Sequence, residues 1–163
     1  RDMDLLKRMK HLSVAMSVNT LDENFRRDMD KGSTIRERLD TLRTFHDEGI
    51  YTILFMSPIF VGITDWQAII ETSRDFISEY WFEDLNLRGS YKPVIMRYVA
   101  ERYPHLYPTY ERIYSQGDRT ELIANDRTIC AYCDANSVNY SAYFHHEEVI
   151  KTETNKILGK NNK

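Results

Sequence analysis

The chain has 163 residues, of which 42% are hydrophobic and 29% are charged, which is enough to bury the core of a folded domain. Its formal net charge of -3 argues against a strongly basic surface for nucleic acid, because phosphate neutralisation needs clustered Lys and Arg. No run of about 18 apolar residues occurs, so the sequence gives no support to a membrane role.

Apolar strands alternate with amphipathic helices through the first half of the chain. Residues 12–18 alternate apolar and small side chains, as a buried parallel strand does, and this first strand is predicted to end near Asn19. A helix is predicted over residues 34–48, with Asp22 or Ser33 as its N-cap and Gly49 at its C-cap. Four apolar side chains share one face of this helix: Ile35, Leu39, Leu42 and Phe45.

Two more units of the same kind follow. A second strand is predicted over residues 51–56, stopped by Ser57 and Pro58, and a second helix over residues 66–80. The segment 81–89 supplies a short third strand with alternating apolar side chains at Phe82, Leu85 and Leu87. Three such units predict an α/β fold with parallel strands, arranged as a sheet or a partial (β/α) barrel.

The sequence changes character after Gly89, and we expect two parts. Residues 1–89 form the partial barrel, and residues 90–163 form a helical extension that is broken at Pro104 and Pro108 and ends in a fraying polar tail. The extension is rich in tyrosine. Tyrosines near helical spacing favour a core or interface stripe over a base-stacking platform, because few basic residues lie between them: Tyr98, Tyr103, Tyr107, Tyr110 and Tyr114.

Polar residues follow each predicted strand. In parallel sheets, ligands bind beyond the carboxyl ends of the strands, where loops converge. The residues at these ends are Ser17, Asn19 and Thr20, then Ser57, Pro58 and Asp65, and then Asn86 and Arg88. Each one alone is also an ordinary turn or helix-cap residue, but the three ends together indicate a candidate site.

Three segments in the first half resemble a known family. RDMDLLKRM, then VAMSVNTLDENFRRDMDKGSTIRERLDTLRTFHDEGI, and then MSPIFVGITD resemble, in order and spacing, the second half of a radical S-adenosylmethionine domain of the spore-photoproduct-lyase-like branch. The resemblance runs from Arg1 to about Gly89 and implies a partial (β/α)6 barrel. Since the chain starts inside such a unit, we expect it to be a fragment of a longer, cytoplasmic enzyme.

The resemblance implies a pocket for S-adenosylmethionine. Ser17 and Asn19 are then expected to contact its ribose or methionine end, and Arg38 is the expected partner of its carboxylate. The loop from Ser57 through Ile59 to Gly62 is expected to offer backbone groups to the adenine.

The family's [4Fe-4S] cluster is bound by a CxxxCxxC motif, which this chain does not contain. The parent enzyme would cleave S-adenosylmethionine reductively, but the chain as given is expected to be inactive. Its substrate stays open, and a nucleic acid has no specific support. If the preceding βα units are missing, the first strand has an unpaired edge, which predicts self-association of the chain.

Cys130 and Cys133 form a CxxC pair, and His145 and His146 follow. These four residues are candidate zinc ligands, but the interpretation that the pattern favours is that both cysteines are small buried side chains and that the histidines begin a polar helix. An auxiliary iron–sulfur site and a thioredoxin-like redox role are two further interpretations. With zinc, the chain would be a noncatalytic metal-stabilised or protein-interaction domain. Two cysteines without a disulfide framework fit a reducing compartment, so the cytoplasm is the expected location.

Overall fold

A four-stranded parallel sheet forms the centre of the molecule. The computed structural model describes residues 3–144. The strands are β1 (Ser13–Ser17), β2 (Tyr51–Ile59), β3 (Glu79–Asp84) and β4 (Tyr140–Ala142), and they lie side by side in chain order. All three neighbouring pairs are parallel. The predicted α/β fold with parallel strands is therefore confirmed.

Helices fill the connections between the strands. They are α1 (Met3–Leu6), α2 (Glu23–Met29), α3 (Ile35–Asp47), α4 (Trp66–Ser73), α5 (Tyr91–Arg102), α6 (Tyr107–Glu111) and α7 (Thr120–Ala135), with a π-helical turn at Arg112–Gln116. Within residues 3–144, none of these helices has the length and apolar character needed to cross a bilayer.

The connection from β1 to β2 contains two helices where the sequence predicted one. Asp22 caps α2, and its carboxylate accepts a hydrogen bond from the backbone of Asn24 at 2.7 Å. Thr34, rather than Ser33, caps α3 in a reciprocal capping box with Glu37. The two regions predicted as alternative starts of one helix, at Asp22 and at residues 33–34, therefore each begin a helix of their own. In each region a side-chain oxygen accepts from a free backbone N–H of the first turn.

The main core lies between one face of the sheet and the helices α3, α4 and α7. Nine of its side chains are fully buried: Leu42, Leu54, Met56, Ile59, Ile69, Ile70, Phe82, Ile129 and Cys133. Alternate residues of the strands point to the opposite face, which stays partly exposed to solvent among the described residues. We call this second face the open face.

Four element boundaries differ from the sequence prediction, and one strand is additional. The strand β2 continues past Ser57, includes the cis Ser57–Pro58 bond and ends at Ile59. Its pairing with β3 is irregular between Met56 and Ile59, because Pro58 has no N–H to donate to the neighbouring strand. The helix α4 ends at Ser73 instead of continuing to residue 80. The strand β3 spans Glu79–Asp84 instead of residues 81–89, so Leu85 and Leu87 follow the strand and do not alternate within it. The extension contains β4, whose three residues are too few to show a strand period.

A second core cluster caps the carboxyl edge of the sheet. Phe25 of α2 packs edge-on against Phe60 at 5.1 Å between ring centres, and also contacts Tyr98 and Tyr103. Tyr110 is fully buried and donates a hydrogen bond to the Val61 carbonyl at 3.1 Å. The structure thus places these three tyrosines in a packed cluster that joins the extension to the sheet.

Candidate functional site

A cavity of about 260 Å³ opens at the carboxyl edge of the sheet. Four residues that the sequence singled out line it together: Ser17 and Asn19 after β1, Ser57 near the end of β2, and Arg38 on α3. They come together because parallel strands end at the same edge and α3 packs beside β1 and β2. Asn86, another of the predicted strand-end residues, also lines the cavity.

Hydrogen bonds fix the polar wall of this cavity. The Asn19 side-chain amide donates to the Pro58 carbonyl at 3.0 Å, which ties the loop after β1 to the end of β2. The Ser57 hydroxyl donates to the carboxylate of Glu83 on β3. Asn19 and Ser57 therefore connect the ends of three neighbouring strands.

Arg38 places a cation at the mouth of the cavity. Its guanidinium donates to the carbonyl oxygens of Ser17 and Ser33, each at 3.0 Å, and forms an ion pair with Asp30. The hydrogen bond from Arg38, followed by one from the Gly32 backbone, lowers the pKa of the Asp30 carboxyl. Asp30 thus stays ionised and holds the guanidinium in position.

A second arginine, Arg26, builds the loop that carries Asp30. It is 9% exposed, and its guanidinium donates to the carbonyl oxygens of Asp30 at 3.2 Å and Gly32 at 2.9 Å, and to Glu23 at 2.7 Å. Glu23 in turn accepts a hydrogen bond from the backbone of Ile35, the first residue of α3. Sequence reasoning missed Arg26, because it stands in the charged run DENFRRDMDKG, which looks like a solvated surface.

Gly32 is needed where this loop meets Arg38. A Cβ atom on Gly32 would lie 2.9 Å from the Arg38 guanidinium and 3.0 Å from the Asp30 carboxylate. A larger residue would therefore displace the ion pair at the cavity mouth.

Five other predicted residues do not line this cavity: Thr20, Ile59, Gly62, Asp65 and Arg88. Ile59 is fully buried in the main core, and its carbonyl accepts a hydrogen bond from the backbone of Leu85 at 3.2 Å. Gly62 has a positive φ of 76°, and a Cβ there would lie 2.9 Å from Leu106. Asp65 caps α4 by accepting from the Ala68 backbone at 3.0 Å.

Cys130 and Cys133 lie one turn apart on α7. Cys133 is fully buried in the main core, and burial, followed by the neighbouring Cys130 and Asp134, raises the pKa of its thiol to about 12. His145 and His146 lie outside the described residues. Within residues 3–144, no three His, Cys, Asp or Glu side chains are grouped so that they could hold a metal ion. The zinc site stays a prediction.

A buried pair of carboxyl groups joins β3 to α7. Asp84 ends β3 and is 9% exposed, and Asp126 of α7 is 5% exposed. Burial first, and then the adjacent Asp84 carboxylate and a hydrogen bond between the two carboxyls, raise the pKa of Asp126 to about 8. Sequence reasoning missed this pair, because the two residues are far apart along the chain.

The chain is similar to an uncharacterized protein of Methanocaldococcus jannaschii, MJ0683, with 34% identity over 135 residues. The match covers 82% of this chain and 46% of that protein, so the chain spans about half the length of the relative. No protein family model matches the chain. No solved structure matches it either.

Proposed function

We propose that this chain is part of a cytoplasmic radical S-adenosylmethionine enzyme, and that the cavity at the carboxyl edge of its sheet binds S-adenosylmethionine. One observation carries the proposal: four residues expected to touch this cofactor, namely Ser17, Asn19, Arg38 and Ser57, line one cavity. They come from separate parts of the chain, and the resemblance had named them for one ligand.

The side chains of the cavity suit the polar end of this molecule. The Arg38 guanidinium matches a carboxylate in shape and charge, and the hydroxyl and amide groups of Ser17, Ser57 and Asn19 suit an amino group or a ribose. Leu85 and Leu87 add apolar wall. The volume of about 260 Å³ is below the range of about 300–1,000 Å³ typical of ligand pockets, so it holds part of the molecule.

The cluster of the proposed enzyme has to be bound by residues outside this sequence. The chain has two cysteines, and their CxxC spacing does not match CxxxCxxC. Bound S-adenosylmethionine supplies a carbon radical after one-electron reduction, and that chemistry needs the cluster. We therefore expect the chain alone to bind the cofactor weakly and not to cleave it.

The sheet is proposed to be part of a (β/α) barrel. Its four strands are parallel and follow in chain order, as in a barrel wall. Among the described residues, β1 has a strand neighbour on one side only. Such an edge supports the expectation that the isolated chain self-associates.

Equilibrium dialysis of the purified chain with labelled S-adenosylmethionine tests the proposed site. We expect a Kd on the order of 1 mM, because the cluster contacts are missing. Replacement of Arg38 by Gln should weaken this binding about tenfold, since the carboxylate loses its cation. Methylthioadenosine, which lacks the amino-acid end, should bind Arg38→Gln and wild type within about twofold of each other.

Arg36→Gln is the matched control for this experiment. Arg36 lies two residues away on α3, and its side chain is 90% exposed. It should bind both ligands as the wild type does. Equal losses for both ligands in Arg38→Gln, or no binding of S-adenosylmethionine at all, would contradict the proposed site.

A further inference from the structure

The open face of the sheet has an unusual composition. It consists of alternate strand residues, and the pairing of Ser17 with Phe55 and of Phe55 with Trp81 places them in one row across the sheet. The next row toward the carboxyl edge contains Ser57 and Glu83, joined by a hydrogen bond. These rows combine aromatic rings, hydroxyls and a carboxylate.

Three aromatic rings follow each other across this face. The ring centres of Phe55 and Trp81 are 6.0 Å apart, and those of Trp81 and Tyr143 are 5.6 Å apart. Both contacts are edge-to-face, so neighbouring rings turn their faces in different directions. Phe55 and Trp81 are half-buried, and Tyr143 is 38% exposed. Part of the aromatic surface is therefore accessible to a ligand.

The two carboxylates on this face differ in what they contact. Burial raises the pKa of Glu79, but hydrogen bonds from the Ser141 hydroxyl at 2.6 Å and the Tyr51 hydroxyl at 3.1 Å help to leave that pKa below its ordinary value. Glu79 is thus held by the sheet. In contrast, Ser57 is the one hydrogen-bond donor to Glu83 within the part of the chain that the structure describes.

Glu83 lines a second cavity, of about 190 Å³, whose wall also contains Tyr143, Asp84 and Arg119. The strand positions on the open face include Glu79 and Glu83 but neither Lys nor Arg in the described strands. The strand positions of this face therefore carry negative charge, and Arg119 adds one positive charge at the wall of the neighbouring cavity. A carboxylate beside aromatic rings attracts an ammonium or guanidinium group through charge and through the ring faces.

We propose that the open face around Glu83, Trp81 and Tyr143 is a binding site for an organic cation, an amine or a guanidinium. Glu83 supplies the counter-charge, Ser57 holds its carboxylate in place, and the rings cover the apolar part of the ligand. The site needs neither cluster nor S-adenosylmethionine. If S-adenosylmethionine also occupies its cavity, the cation lies beside it, because Ser57 lines the cofactor cavity and donates its hydrogen bond to Glu83.

Titration with n-butylamine, followed by NMR of the tryptophan indole N–H groups, tests this inference without any cofactor present. The chain has two tryptophans, and Trp66→Phe assigns the signals. Trp66 packs against Tyr132 and the main core, so it reports on the helix-covered side. At constant ionic strength we expect a saturable shift of the Trp81 signal, with a Kd on the order of 10 mM, and no shift of Trp66.

Two variants of the site, one control variant and one neutral ligand separate specific binding from a general effect. Glu83→Gln should raise the Kd at least about fivefold, and Tyr143→Leu, at a partly exposed position, should raise it about threefold. Glu101→Gln, which removes the same charge from the exposed surface of α5, should leave it unchanged. Butanol, of the same size but uncharged, should shift neither signal.

An equal shift with butanol, an equal loss in Glu101→Gln, or the absence of a shift with the amine would overturn the inference. Because no S-adenosylmethionine is present, each of these results leaves the proposed cofactor site untouched. Failure of the dialysis experiment, in turn, would not affect the cation site.

Discussion

Replacing Asp126 by Asn is expected to remove a pH dependence of stability that the wild-type chain shows between about pH 5 and about pH 8. The ordinary pKa of this carboxyl is 3.8, and in the fold it is raised to about 8 by burial and by Asp84. Between these values the folded chain holds a proton that the unfolded chain has released. The free energy of unfolding therefore falls as pH rises, by up to about 1.4 kcal/mol per pH unit.

The sign follows from the direction of the shift. The stability that this proton contributes is fully present below pH 3.8 and is lost as pH rises toward about 8. Carboxyls with a lowered pKa, such as Asp30, act in the opposite direction and titrate below this window. Across the window we expect a total loss of about 2–4 kcal/mol in the wild type, and less than about 1 kcal/mol in Asp126→Asn.

Urea unfolding at several pH values measures this difference. Asp47→Asn is the matched control, because Asp47 is an exposed carboxyl at the end of α3. It should keep the wild-type slope. A wild-type stability that is constant or rises across the window would contradict the shared proton between Asp84 and Asp126.

The second large effect is expected at Arg26. Arg26→Ala should lower the free energy of unfolding by about 2–4 kcal/mol, because two carbonyls and Glu23 lose a buried charged donor. Arg26→Lys should recover part of this loss, since one ammonium replaces some of the bonds but cannot reproduce the planar fork. Binding of S-adenosylmethionine should weaken in both variants, because the loop of Asp30 positions Arg38.

Arg27 provides the comparison for this experiment. It is the next residue, is exposed, and donates to Asn24 on the same helix. Arg27→Ala should change the stability by less than about 0.5 kcal/mol. Equal effects at Arg26 and Arg27 would show that the buried hydrogen bonds of Arg26 contribute no stability of their own.

The regular part of the fold could be predicted because its pattern is local. The apolar alternation of β1 and β2 and the helical period of α3 are visible in short windows, and they suffice for a parallel α/β sheet. The strand β4 could not be predicted from such a local pattern. Its three residues form a strand because β3 offers them partners, which no window of sequence shows.

The candidate site was predictable where a general rule applies. Parallel strands place the residues that follow them at one edge, so Ser17, Asn19 and Ser57 could be grouped in advance. Arg26 and the pair of Asp84 and Asp126 could not, because their roles depend on burial that tertiary packing alone creates. Each of them is a charged residue whose sequence neighbourhood looks solvated.

The formation of 5′-deoxyadenosine by the full-length parent protein tests the central claim most directly. The protein would be purified without oxygen, given iron and sulfide, and mixed with S-adenosylmethionine and dithionite. We expect 5′-deoxyadenosine to form, Arg38→Gln to lower its rate at least about tenfold, and Arg36→Gln to leave it unchanged. A full-length protein that has no CxxxCxxC segment, or that binds its cluster and still forms no 5′-deoxyadenosine, would contradict the account.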